Sequence, residues 1–131
     1  MKTFALRLHP GDDLLIELQK YSQEMKIKAG FVATCVGSLR QANLRMANQP
    51  EATKLAGKFE IVSLVGTLSR DGLHLHISIS DSIGKMTGGH LLTDNLIYTT
   101  AEIIIGELED VVFERKIDPE TTYDELVVEK I

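Results

Sequence analysis

Three of the chain's four histidines, His74, His76 and His90, fall within seventeen residues of one another. The segment that carries them, Leu73 to Leu92, reads LHLHISISDSIGKMTGGHLL. Leu73, Leu75, Ile77 and Ile79 alternate with His74, His76, Ser78 and Ser80, the period of a strand with one apolar and one polar face. His74 and His76 then share the polar face, with Cα atoms ~7 Å apart, close enough to converge on one ion. A glycine-rich turn, Thr87-Gly88-Gly89, is expected to deliver His90 as the third imidazole. Three protein ligands with a fourth position left for water is the open arrangement of catalytic zinc sites. Imidazole also suits nickel, copper and iron, so the expected cofactor is a divalent metal with zinc first among the candidates. The competing reading is a solvated face whose histidines bond only to neighbours and water.

A metal alone does not make an enzyme, because a hydrolase also needs a general acid or base. Glu60 is the first candidate, since it interrupts an apolar run; the favoured reading is nonetheless an edge or interface carboxylate paired with a cation such as Lys58 or Arg40. Asp81, with Lys85, follows the histidine strand and is the second candidate at the mouth of the site. Ser78 and Ser80 share the histidines' face, but their spacing builds no Ser–His–acid arrangement. Gly88-Gly89 falls far short of a phosphate-loop pattern. Cys35, the single cysteine, lies in the apolar run FVATCV and reads as a small buried residue. His9 reads as a surface or interface residue.

The elements that must position these groups follow in order. Thr3 to His9 alternates as a first strand, ended by Pro10-Gly11. Asp12 or Asp13 can cap a helix through Met25, with Leu14, Leu15, Leu18, Tyr21 and Met25 at three- and four-residue spacing. Phe31–Val36 and Leu39–Ala47 read as two strands separated by Gly37-Ser38. Lys58 to Leu68 is so nearly continuous in apolar residues that it is expected to be covered on both sides. Ser69-Arg70-Asp71-Gly72 is a hairpin turn into the histidine strand. Leu96–Ile105 and Asp110–Ile117 are further strands, and the tail around Tyr123, Leu126 and Val127 reads as a short docking segment. One helix against about seven strands predicts a single α+β domain over residues 1–131 with a mainly antiparallel sheet. One helix cannot cover such a sheet, so Phe59, Ile61, Val62 and Leu64 are expected at a homo-oligomer interface, where a charge at Leu64 or Val62 would disrupt assembly or folding.

Composition narrows the function. The 131 residues are 44% hydrophobic and 25% charged, with a net charge of −5. That balance, without a basic arm or aromatic platform, argues against nucleic-acid binding. No apolar run approaches the ~20 residues that span a bilayer, and the first residues lack a signal-peptide core, so a cytoplasmic protein with no membrane partner is expected.

Several motifs resemble the plants and prokaryotes conserved (PPC) domain. They are Arg7-Leu8-x-Pro10-Gly11-x-Asp13, Gly57-Lys58-Phe59-Glu60-Ile61-Val62, Leu73-His74-Leu75-His76, Gly88-Gly89-His90-Leu91 and Phe113-Glu114-Arg115. The resemblance implies an α+β fold with one or two helices that assembles as a homotrimer. It also implies a metal at His74, His76 and His90. Plant members join the domain to AT-hooks, whose Arg-Gly-Arg-Pro core grips the minor groove, and use the segment matching Gly57–Val62 for self-association and partner contacts. This chain contains no Arg-Gly-Arg. The expected function is therefore a trimeric binding or scaffold module with a His-lined metal or small-ligand site. The alternatives are a small metal-dependent enzyme and, least favoured, a DNA-associated protein.

Overall fold

The computed structural model describes the whole chain, Met1–Ile131. The first strand, β1 (Lys2–Leu8), stops before Pro10 and Gly11, the latter at φ +88, a conformation glycine adopts without a side-chain clash. Asp13 then caps helix α1 (Leu14–Glu24), its carboxylate accepting the Ile16 N–H at 3.2 Å. Leu14 and Leu18 are fully buried on one side of that helix, as their spacing predicts. Past the helix come β2 (Gly30–Arg45), β3 (Ala52–Ser69), β4 (Gly72–Ser80), β5 (Met86–Leu91), β6 (Leu96–Glu107), β7 (Val111–Ile117) and β8 (Asp124–Lys130). One helix and eight strands, all paired antiparallel, make an α+β domain. No helix is long and apolar enough to cross a membrane.

The main sheet runs β1-β6-β2-β3-β4-β5, and β5 pairs back onto the end of β2. Strands β2 to β5 thus close on themselves around the core. The long β2 makes this possible. It is one continuous strand rather than two separated at Gly37-Ser38, and its pairing slips at three places, between Val32 and Gln41. Such irregularities bend a strand and raise its twist. Gly37 is no turn residue here: a Cβ at that position would run into the backbone of Thr100 and Ala101 on β6.

Within the protomer, strand β3 is covered on one side only. Phe59, Ile61 and Leu64 point into the protomer's own core, whereas Val62 and Val65 are 52% and 54% exposed. The pairing of β3 with β4 slips between Ile61 and Ser63, which shifts the inward positions by one residue. A run that looks apolar on both faces is therefore two alternating patterns joined at a bulge.

The tail is not a docking segment but a strand. β8 pairs with β7 in a separate two-stranded sheet. This hairpin is fastened to the body by buried Phe113, whose N–H donates to the Lys28 carbonyl at 3.0 Å.

Candidate metal centre

The leucines and isoleucines of β4 face inward: Leu75, Ile77 and Ile79 are all buried. His74 and His76 consequently face outward. His90 arrives by a different route from the one its neighbours suggest. Thr87-Gly88-Gly89 is not a turn; it lies inside β5, which pairs with β4 so that His90 stands directly across from His76. The glycines serve close approach between strands. A Cβ on Gly88 would lie 2.5 Å from the Ile77 carbonyl oxygen, and one on Gly89 2.8 Å from that of Arg45. Gly88→Ala is thus expected to push β5 off β4, at a cost of about 1–3 kcal/mol in urea unfolding. An unchanged urea midpoint would show that β5 yields freely.

The three imidazoles gather at one point. Their ring centroids are 5.1, 5.2 and 5.7 Å apart, and one nitrogen from each ring lies within 4.8 Å of the others. Ligand atoms around a tetrahedral zinc are separated by about 3.4 Å, from Zn–N distances near 2.1 Å. Closing on an ion would bring the nitrogens together by at most about 1.4 Å per pair, the difference between 4.8 Å and that spacing. The donor set fits a borderline-soft divalent ion.

The Plants and Prokaryotes Conserved (PCC) domain model matches residues 1–109. The chain belongs to this family. Two Synechococcus proteins, each named Bifunctional protein GlmU, are 45% and 44% identical to it over all 131 residues. The chain spans about a fifth, 21%, of their length. Among solved structures, a hypothetical protein of Salmonella cholerae-suis (Salmonella enterica) has a TM-score of 0.96 at 40% identity, covering 98% of this chain and 94% of that one. A metal-containing protein of Archaeoglobus fulgidus has a TM-score of 0.85 at 26% identity, covering 97% and 94%.

In this PCC domain the cluster sits on a cross-strand row. Arg45 on β2 pairs with His90, His90 with His76, and His76 with Val65 on β3. Side chains of directly opposed residues share a face, so the row places a guanidinium at one end of the histidines and an apolar surface at the other. His74 pairs with Thr67, whose hydroxyl oxygen accepts a hydrogen bond from Arg115 Nη2 at 2.9 Å. Arg115 and Glu125 reach the site from the β7–β8 hairpin, beyond the residues the family model matches. A cavity of about 450 Å³ is lined by His74, His76, Arg115, Glu125 and Thr67, and a groove of about 1060 Å³ joins all three histidines to Arg45.

This setting holds two of the imidazoles neutral. Burial, then Arg45, then His74 and His76, push His90 down from 6.5 to about 4. Burial, Arg115 and His76 lower His74 as well, against an upward pull from Glu125. Neutral imidazole is the form that ligates a metal. The shift at His90 also has a stability consequence in metal-free protein. Between pH 6.5 and about 4 the unfolded chain takes up this proton and the folded chain does not, so stability falls as pH falls through that window. Urea midpoints are expected to drop more over this range than in His90→Asn; parallel pH profiles would contradict the shift.

The other candidates lie elsewhere. Glu60 is exposed on β3, lines neither cavity and pairs with neither Lys58 nor Arg40; Lys58 lies 4.6 Å from the centroid of the Tyr98 ring. Asp81 is occupied by the β4–β5 turn, accepting the Ile83 and Lys85 N–H groups at 3.0 and 2.9 Å. Ser78 bonds Ser63 across the ladder at 2.6 Å. Cys35 is buried and its thiol pushed up to about 11, so it is no ligand. Arg45 and Glu125 were not singled out by sequence reasoning, and Arg115 entered it only as the end of the Phe113-Glu114-Arg115 motif, with no role at the site. Only the pairing of strands far apart in the chain reveals them.

Proposed function

We propose that this PCC domain is a homotrimeric binding module whose His74, His76 and His90 hold a divalent metal, zinc first among candidates. The observation that carries the reading is the convergence of three imidazole nitrogens within 4.8 Å on an outward sheet face. The Archaeoglobus relative, described as metal-containing, supports it. So does the Synechococcus pair, in which a stretch matching this entire chain forms about a fifth of a larger protein, as an attached module does. Such an ion supplies Lewis acidity at its open coordination position when bound. Elemental analysis of untagged protein tests the reading: about one zinc per chain is expected, and a chain that takes up no divalent metal would overturn it.

The trimer reading rests on the apolar surface that continues from the histidines. Val65, across from His76, and Val62 on β3 are exposed, as is Val36 on β2 at 59%; Val65 also borders the cavity that Leu126 of the β7–β8 hairpin lines. A second copy of the chain supplies matching apolar surface, and a cyclic assembly closes it. Val62→Asp is expected to give a folded monomer by light scattering, because this side chain does not support the protomer core. Leu64→Asp, in contrast, is expected to unfold the chain, since Leu64 is only 3% exposed. A wild-type monomer at micromolar concentration would remove the assembly.

A metal-dependent enzyme is the second reading, and one observation favours it. Glu125, not Glu60 or Asp81, shares a cavity with His74 and His76 and acts on His74 electrostatically. It is the carboxylate placed to hold or move a proton beside the cluster. DNA association is the weakest reading, given the net charge of −5. It predicts salt-dependent retention on DNA, which is not expected at physiological salt.

A further inference from the structure

Two guanidiniums flank the histidine cluster, and neither is neutralised. Arg45 stands beside His90 in the strand row and makes no hydrogen bond through its side chain. Arg115 is held in place rather than paired: Nη2 donates to Thr67 Oγ1 at 2.9 Å and Nη1 to the Asp124 carbonyl at 3.4 Å, which leaves further N–H donors free. The chain's four ion pairs involve neither arginine. Asp71, Asp124 and Glu125 also line the groove, but none lies within ion-pair distance of either guanidinium. Asp71 is already accepting the Arg115 backbone N–H at 2.9 Å. Arg115 shares a cavity with His74 and His76, and both arginines share a groove with all three histidines. The groove that contains them, at about 1060 Å³, has room for far more than a metal ion and a water.

We propose that this groove binds a small oxyanion, a carboxylate or phosphate group gripped between Arg45 and Arg115 beside the histidine cluster. The inference deepens the metal-module reading and rests on it for the ion at the centre. Guanidinium forks match planar carboxylates and the faces of phosphates, and such charge-assisted bonds are the strong ones. An oxygen of the same anion suits the coordination position the three histidines leave open. Arg45 comes from β2 and Arg115 from the β7–β8 hairpin, so the grip needs both sheets of the fold.

The test is calorimetric titration of the zinc-loaded full chain at low ionic strength, with inorganic phosphate in one series and malonate in another. At least one is expected to bind with a Kd below about 1 mM, and the tighter of the two distinguishes phosphate from carboxylate recognition. Arg45→Gln is expected to weaken it roughly 10- to 100-fold while zinc content and melting temperature stay unchanged. Arg115→Lys, which keeps the charge and loses the fork, is expected to weaken it as well. Failure of both anions to bind, or equal binding by Arg45→Gln, overturns the proposal. If the chain takes up no zinc, the same titration is run without metal. Arg45-dependent binding would then retain the anion grip and discard the metal, and its absence would discard both.

Discussion

Replacing His76 with alanine is expected to lower zinc affinity by roughly 100- to 1000-fold. Apparent binding energies of ~10–16 kcal/mol at four-ligand zinc sites come to about 2.5–4 kcal/mol per ligand, which sets that range. His76 is the informative position because it stands in the middle of the row, opposite both His90 and Val65. Its side chain faces solvent, so the substitution removes a ligand and leaves the core alone. Melting of the metal-free variant should stay close to that of the wild type, whereas the stabilisation conferred by zinc should largely disappear. Competition against a chromophoric zinc chelator reads the affinity directly. Ser78→Ala, two residues along the same face, serves as the control, since Ser78 is engaged with Ser63 and not with the cluster. Retention of one zinc per chain at unchanged affinity in His76→Ala would remove the three-histidine centre from consideration.

What the sequence revealed, and what it hid, divides along physical lines. Local patterns that encode one structure were legible. The helix followed from the spacing of Leu14 and Leu18 and from its cap at Asp13, and β4 from strict alternation through Ile79. Ser69-Arg70-Asp71-Gly72 does form the tight turn between β3 and β4, with Arg70 and Asp71 at its tip and Ser69 paired to Gly72. Glycine misled because it answers two different demands. At Gly37, Gly88 and Gly89 it was read as a signal to turn, when its purpose is to let two backbones come close. The bulge after Ile61 hid the orientation of Val62 and Val65, since a two-residue period read straight through a bulge assigns faces wrongly. Within the site, His74 and His76 share a face because they share a strand, which periodicity alone shows. His90 was in the right group by a wrong route. Arg45 and Glu125 carry no local mark, and the motif that ends in Arg115 says nothing of the histidines, because the importance of all three comes from which strands lie beside β4 and which hairpin folds over it.

The second large effect is expected at a residue that touches neither metal nor ligand. Along its length β2 changes partners: Gln41 pairs with Leu96 of β6, while Leu44 and Arg45 pair with Leu91 and His90 of β5. At the handover, Asn43 pairs with Lys54 of β3 on one side but has no strand residue on the other. Its place is filled by a side chain, that of Asn95, which is completely buried. Asn95 Oδ1 accepts the Asn43 N–H at 2.9 Å, and Asn95 Nδ2 donates to the Asn43 carbonyl at 2.9 Å, so one amide group stands in for the missing strand residue. The same Nδ2 also donates to the Leu92 carbonyl at 2.7 Å, two residues past His90, and the Asn95 carbonyl accepts the Leu14 N–H at the start of α1. One buried side chain thus ties together the ends of the strands that carry Arg45 and His90. Asn95→Ala leaves a buried N–H and two carbonyls without these partners, at a cost of roughly 1–3 kcal/mol for a group that loses its only bond. A net loss of about 3 kcal/mol is expected, a fall of roughly 10 °C in melting temperature for a domain of this size. Asn95→Asp should be worse, because its carboxylate would face the carbonyl oxygens of Asn43 and Leu92 in a dry interior. Zinc affinity should fall in both variants although all three histidines remain, since the row that aligns them has lost its anchor at β2. A variant that melts like the wild type would mean that the ladder closes without Asn95. Lost stability with undiminished zinc affinity would show that the histidines are positioned by β4 and β5 alone.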